Sequence, residues 1–418
     1  MKYVRTHETR DQFLADKDST SRGFRLAPTL YKYSDESEDE ENRDHIYLEL
    51  DDPRKHEGST YMEIALDSDV EFSFYIGNKS GGTQTTMTCT IDWGDDTIET
   101  TTITKDTYGF KLAHNYVAGS YKIELYDVER DYSVVGGVEA VIDGMYHRVS
   151  RISHPSSVKR VVLGERVVDI EIGAFGCCDS LTSIYIPEGV TTIRGEVFGH
   201  CSSLRSIHIP ESVISMRGWS LLLCISLKSI YIPESVTSIE AGAFENCYSL
   251  KSINIPEGVT SINQYTFDEC LSLKSVYIPE SVTSIGNNAF SYCRSLKSIN
   301  IPESVTSIGG SAFFSCTSLK TINIPKGVTS IELKTLYNCS SLKSIDIPEK
   351  VTSIGDSAFE GCSSLTSISS FNLTTPTLGG NIFLNLPANV TLHIKPGATG
   401  YDAWLSKLPE GWRIVEDL

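Results

Sequence analysis

The sequence predicts a mainly β protein: a long solenoid of stacked coils preceded by a small antiparallel β-sandwich. Three observations carry this. A leucine recurs every 23 residues, at Leu181, Leu204, Leu227, Leu250, Leu273, Leu296, Leu319, Leu342 and Leu365. A cysteine keeps the same register, at Cys178, Cys201, Cys224, Cys247, Cys270, Cys293, Cys316, Cys339 and Cys362. Ahead of the repeats, short alternating apolar and polar runs are separated by clusters of Gly, Asn and Ser. A fixed period of this length means coils that must stack, because one coil cannot bury its apolar face alone. Short strands with turn residues between them read as an antiparallel sandwich.

The totals remove several function classes. The 418 residues carry a formal charge of −18, which argues against nucleic acid, whose phosphates call for a basic groove. The same charge disfavours docking on anionic lipid. No apolar run approaches the ~20 residues that span a bilayer, so membrane insertion is not expected. The opening residues Met1 to Arg10 are polar and contain no apolar core of a secretory leader.

Residues 1–60 are mixed and charged. Asp35-Glu-Ser-Glu-Asp-Glu-Glu41 holds acids at all but one position and is followed by the alternating run Ile46-Tyr-Leu-Glu-Leu50. Such charge runs are usually solvated; we read the segment as a docking arm. Residues 61–130 hold the strands of the sandwich: Met62 to Leu66, Val70 to Ile76, Met87 to Trp93 and Tyr121 to Leu125. Residues 131–157 read as a connector. The solenoid then runs over 158–370. Its first coil is degenerate, with Val161, Leu163, Val167, Ile170, Phe175 and Cys178 on the repeat positions, as expected of a coil that covers a solenoid's end. Residues 371–418 break phase and read as a closing cap, with Trp404 and Trp412 over the last coil.

Within the sandwich, Ile91-Asp-Trp-Gly-Asp95 is followed by His114-Asn-Tyr116, Gly119 and Tyr121. This resembles the PKD-type immunoglobulin-like domain of bacterial surface proteins, in which glycine is usual where Asp96 stands here. Asp92, Asp95 and Asp96 could hold a hard cation through clustered carboxylates. Alternatively Asp95 caps the turn and Trp93 fills the core, and no calcium-loop spacing follows. No metal site is assigned.

One coil, read from Leu250, runs Leu-Lys-Ser-Ile-Asn-Ile-Pro256, with Val259, Ile262, Phe267 and Cys270 completing its inward set. Ile253 and Ile255 alternate with Ser252 and Asn254, the pattern of a strand with one buried face. Pro256 ends the strand because it has no N–H for the ladder. Across residues 158–418 this unit resembles the leucine-rich repeats of the BspA-like type, and the segment from Pro376 to Trp412 resembles that family's ending. The resemblance implies a leucine-rich-repeat solenoid used in adhesion or recognition. The cysteine column reads as a packing position, since buried thiols are common in cores and stacked parallel thiols suit disulfide geometry poorly.

Function is left to the outward positions. Between the two isoleucines of each coil stand Tyr185, His208, Tyr231, Asn254, Tyr277, Asn300, Asn323 and Asp346, the candidate ligand-binding face. Beside them run a near-constant column of serines (Thr321 once), a column of lysines begun by Arg205, and an acid after each proline, broken once by Lys326. Tyrosines, amides and hydroxyls suit a glycan or a protein partner; the alternative is a copied, solvated face that blocks edge-on association. No nucleophile–base grouping, H-E-x-x-H, P-loop or dinucleotide-binding motif is present in the sequence, so no enzyme, catalytic residue or cofactor is expected.

Two biological settings follow. Without a leader, and with a charged arm, the chain reads as a virion fibre or decoration protein of a phage of gut bacteria. In that setting residues 1–60 meet a capsid or tail protein and the solenoid meets a host surface protein or glycan. The opening Met1-Lys-Tyr-Val-Arg and Phe13-Leu-Ala resemble the N-termini of such phage proteins. The alternative is a bacterial cell-surface adhesin of the BspA-like type. Either places the chain on an outward-facing surface, and a homo-oligomer is compatible with both.

Overall fold

The computed structural model describes residues 60–78, 86–104, 110–126, 132–134, 138–142, 145–149, 152–165, 167–405 and 411–418. Apart from Thr60, the expected docking arm lies outside the described residues. Residues Gly58–Leu418 form one unit, whose buried side chains make one continuous core from Met62 to Trp412.

The sandwich has strands β1 (Thr60–Leu66), β2 (Val70–Asn78), β3 (Thr86–Asp92), β4 (Ile98–Thr104), β5 (Phe110–Tyr116), β6 (Gly119–Tyr126) and β7 (Tyr132–Val134). A hairpin of β8 (Val138–Ile142) and β9 (Met145–Val149) follows. The first coil adds β10 (Val158–Val162), β11 (Val167–Ile170) and then β12 (Ser183–Tyr185). One sheet has the order β12-β10-β1-β6-β3-β4 and the other β11-β7-β2-β5. Both sheets of the sandwich therefore continue into the two sheets of the solenoid.

The join follows from register. β1 pairs antiparallel with β10 (Met62 opposite Val161), and β10 pairs parallel with β12 (Val161 opposite Ile184). On the other sheet β7 lies between β2 and β11. The first coil was expected to cover the solenoid's end by being atypical. Instead β1 and β7 lie along it, so its strand edges are paired. Part of the stretch read as a connector is likewise built into the second sheet. Nothing in the 23-residue pattern could show this, because the pairing partner lies about a hundred residues upstream.

Each later coil contributes one short strand to each sheet, with the backbone of equivalent residues in register: Ser252 with Ser275, Ile253 with Val276, Ser284 with Ser307. Between the two strands the chain turns at Pro-x-x-Val, where the Val259 N–H donates to the Pro256 carbonyl at 3.0 Å. Serines in this turn donate to the previous coil, as Ser281 does to the Val259 carbonyl at 2.7 Å. The return turn holds two left-handed residues per coil, among them Tyr265 and Glu269, then Asn288 and Tyr292. The left-handed conformation costs an L-residue roughly 1–2 kcal/mol, least for Asn, so packing of the buried turn residues must hold these backbones in place.

Phenylalanines stack through the interior, with Phe267–Phe290 centroids 5.3 Å apart and Phe290–Phe313 5.5 Å. Such pairs add ~0.5–1.5 kcal/mol beyond burial. The nine repeat cysteines are fully buried and unpaired by disulfides. From Cys201 to Cys362 each thiol donates to a carbonyl of the preceding coil, for example Cys270 Sγ to the Phe244 oxygen at 3.3 Å. Burial pushes these thiols well above their ordinary pKa, which keeps the donating proton in place.

The far end is closed by the strands Thr391–Ile394 and Arg413–Glu416, which extend the first sheet beyond Ser367–Ser370. Phe383 packs on Trp404 and Trp412 (5.6 and 5.3 Å), and the Trp412 indole donates to the Pro387 carbonyl. Among the described residues no helix is long and apolar enough to cross a membrane.

Candidate functional site

The first sheet carries the side chains singled out in the sequence. Its register aligns Asn254 with Tyr277, Tyr277 with Asn300, and His208 with Tyr231. The column is thus one line on the surface, but its members differ in what they do. Tyr277 is open, at 65% exposure. Asn300 and Asp346 are also exposed, whereas Tyr185, His208 and Tyr231 are half-buried. The Tyr185 hydroxyl donates to Glu165 at 3.2 Å. Burial holds the His208 imidazole below its ordinary range, opposed by Glu188.

Asn254 and Asn323 are occupied by the fold. The Ile232 N–H donates to Asn254 Oδ1 at 3.1 Å, and Asn254 Nδ2 donates to the Ile232 carbonyl at 2.7 Å. Asn323 does the same for Ile301, at 2.9 and 2.6 Å. A carboxamide has the donor and acceptor of a peptide group, so it replaces a rung of the ladder where the short strands end. Part of the Tyr/Asn variation along the column is therefore structural.

The glutamate column is also engaged. Glu188, Glu234 and Glu303 accept the N–H groups of Ser212, Glu257 and Lys326 in the following coils. The lysine column, Lys228 to Lys343, is exposed along its whole length.

A feature missed from the sequence lies on the second sheet. A shallow groove of about 530 Å³ is lined by Asn263, Gln264, Gly286, Asn287, Gly309 and Glu332, among others. Its floor is open because Gly286 and Gly309 sit close on the previous coil. A Cβ on Gly286 would lie 2.5 Å from the Gln264 nitrogen, a contact only glycine avoids. The signal was present: the residue that follows each strand of the second sheet reads Glu240, Asn263, Gly286, Gly309 and Glu332, a variable column with glycines at the groove. Several polar groups here are already used, since Asn263 donates to the Ile239 carbonyl and Asn287 accepts from the Gly310 N–H.

The aspartates of the sandwich turn are engaged locally. Asp92 accepts the Gly94 N–H at 2.8 Å; Asp95 accepts the Thr97 N–H and lies 2.7 Å from His114 Nε2. His114 stacks on Trp93 at 5.0 Å, and the Tyr116 hydroxyl donates to the Trp93 carbonyl. Asp96 occupies the left-handed region with φ of 68°. Among the described residues no three of His, Cys, Asp or Glu converge in a metal-holding arrangement.

A family model described as the BspA type leucine rich repeat region matches residues 168–297 and 283–396, in six copies. The chain belongs to the BspA-type leucine-rich repeat family. Among solved structures, a leucine-rich repeat protein of Bacteroides ovatus is 24% identical, over 67% of this chain and 90% of its own, with a TM-score of 0.41. The leucine-rich repeat protein of T. pallidum is 25% identical over 55% and 87%, with a TM-score of 0.33. A leucine-rich cell surface protein of Faecalibacterium prausnitzii is 25% identical over 66% and 93%, with a TM-score of 0.29. No curated protein matches. BspA-type repeat proteins are generally cell-surface proteins, and their solenoid is typically a binding scaffold without enzymatic activity. No enzyme family matches, and the virion expectation gains no support from these matches.

Proposed function

We propose that this BspA-type protein is a non-enzymatic recognition protein of a bacterial cell surface. In this reading residues 61–130 are a PKD-like module, and the first sheet of the solenoid meets a host surface protein or glycan. The observation that carries it is the division of labour on that sheet. Asn254, Asn323 and the engaged glutamates serve the fold, while Tyr277, Asn300 and Asp346 are left facing solvent on a rigid ladder. Rigid aromatic and amide side chains give contact area at low conformational cost.

The test has two arms. Protease shaving of intact cells of the source organism, followed by detection of released peptides, should recover solenoid segments. The purified chain on a glycan and host-protein array should retain a ligand. A chain found only in phage particles, with residues 1–60 binding capsid or tail protein, would replace this reading with the virion one.

A further inference from the structure

On the first sheet, Lys228, Lys251, Lys274, Lys297, Lys320 and Lys343 form a straight column, all exposed. Their backbones are linked directly: the Lys251 N–H donates to the Lys228 carbonyl, Lys274 to Lys251, and so on to Lys343. The charges therefore repeat at the strand spacing, ~4.8 Å, over roughly 24 Å. In each coil the lysine stands in a Ser-Leu-Lys-Ser-Ile context, or a close variant such as Ser-Leu-Lys-Thr-Ile, with no acid within two residues of it. Lys228, Lys274, Lys297, Lys320 and Lys343 have no ion pair among the described residues.

Like charges directly opposite one another on paired strands destabilise a sheet. Facing lysines of the rail therefore repel one another at the strand spacing. The column three residues on has drifted among Tyr, His, Asn and Asp, while this one stays basic from Arg205 to Lys343, as constant as the serine column beside it. A locally unfavourable arrangement retained in this way points to a ligand.

We infer that the lysine rail binds a linear anionic polysaccharide, one bearing carboxylate or sulfate groups along an extended chain. This rests on the proposed recognition role and names the ligand class for its face. The rail supplies the cations, and the exposed hydroxyls of Ser252, Ser275, Ser298 and Thr321 lie beside it as hydrogen-bonding partners for sugar and anion. The footprint fits a single chain. Six residues along each coil stands the glutamate column, at most ~20 Å away, which repels a broad polyanion such as duplex nucleic acid. A single nucleic-acid strand would call for a row of stacking aromatics, and this stretch of the face has Tyr277, exposed, and Tyr231, half-buried.

Binding of the full-length chain to heparin and to polygalacturonate is measured against neutral dextran and duplex DNA, across ionic strength. Both acidic polymers should bind and dextran should not, with affinity falling steeply as salt rises. The triple variant Lys274→Gln, Lys297→Gln, Lys320→Gln should bind at least tenfold more weakly. Its log–log salt slope should drop by about two to three, while the corresponding Lys→Arg triple variant should retain binding. Removing like charges from facing positions should leave the Gln variant melting no lower than the wild type, which separates lost binding from lost fold. Equal binding by the Gln variant, or tighter binding to duplex DNA than to either polymer, would overturn the inference. If only neutral glycans or proteins bind, through Tyr277 and its neighbours, the rail inference fails and the recognition role stands.

Discussion

The thiol of Cys270 donates a hydrogen bond to the carbonyl oxygen of Phe244, 3.3 Å away in the preceding coil. That carbonyl also accepts the Cys247 N–H at 3.2 Å, so the thiol satisfies its second lone pair in a dry interior. The cysteine column is thus a hydrogen-bond ladder as well as packing. Cys270→Val, which keeps apolar bulk but has no donor, should lower stability by about 0.5–1.5 kcal/mol. Cys270→Ala should cost more, about 1–3 kcal/mol, by adding a cavity. Denaturant melts of both variants check this, and a Cys270→Val protein as stable as the wild type would reduce the thiol to a space filler.

Asn254→Ala removes both bonds to Ile232. The half-buried site admits some water, so the expected loss is about 1–2 kcal/mol. Asn323→Ala should cost a similar amount, and the two should add, since the sites lie three coils, ~14 Å, apart. Thermal melts of the single and double variants measure this. Asn300→Ala, with no such bonds, should be nearly neutral.

The turn at Trp93 makes opposite predictions for two neighbours. Gly94 has φ of 80°, and a Cβ there would lie 2.4 Å from the Lys122 carbonyl oxygen, so Gly94→Ala should destabilise by more than about 1 kcal/mol. Asp96 has φ of 68°, a conformation glycine adopts without strain. Asp96→Gly should therefore stabilise by about 0.5–1 kcal/mol. Chemical denaturation of a background in which Trp219, Trp404 and Trp412 are replaced by Phe, followed by Trp93 fluorescence, reads both.

Much of the fold was legible because the repeat states its inward set plainly: Leu250, Ile253, Ile255, Val259, Ile262, Phe267 and Cys270 are all buried. The continuation of the sandwich sheets into the solenoid was not legible, since strand pairing between β1 and β10 leaves no periodic trace. The site was half legible. The column through Tyr277 is one line as expected, but which of its amides serve the backbone depends on where strands stop, as at Ile232 and Ile301. The groove over Gly286 and Gly309 left only the small residues themselves as a trace, in a column that varies along the whole solenoid.

Asp268 gives a pH-dependent prediction. Burial, with Glu245 and Glu269 adding and a hydrogen bond from Ser291 opposing, pushes its carboxyl up to about 7. Its Oδ1 is buried without a hydrogen-bond partner among the described residues. The folded state therefore holds this proton more tightly than the unfolded chain, and the stabilisation it provides is lost as pH rises through about 7. Asp268→Asn should melt higher than the wild type near pH ~8, with the difference closing near pH ~4, where the wild-type carboxyl is protonated. Calorimetry at the two pH values decides it, and a gap independent of pH would contradict the assignment.

The proposal as a whole claims that the first sheet, not the second, is the recognition surface. The most direct test takes the ligands retained by the full chain on a glycan and host-protein array. Their affinities are then measured for Tyr277→Ser with Asn300→Ala, and for the groove variant Gln264→Ala with Glu332→Gln. Loss of at least tenfold in the first variant, with the second unchanged, is the expected result. Binding that survives in the first and disappears in the second would place recognition in the groove and contradict the assignment of the first sheet.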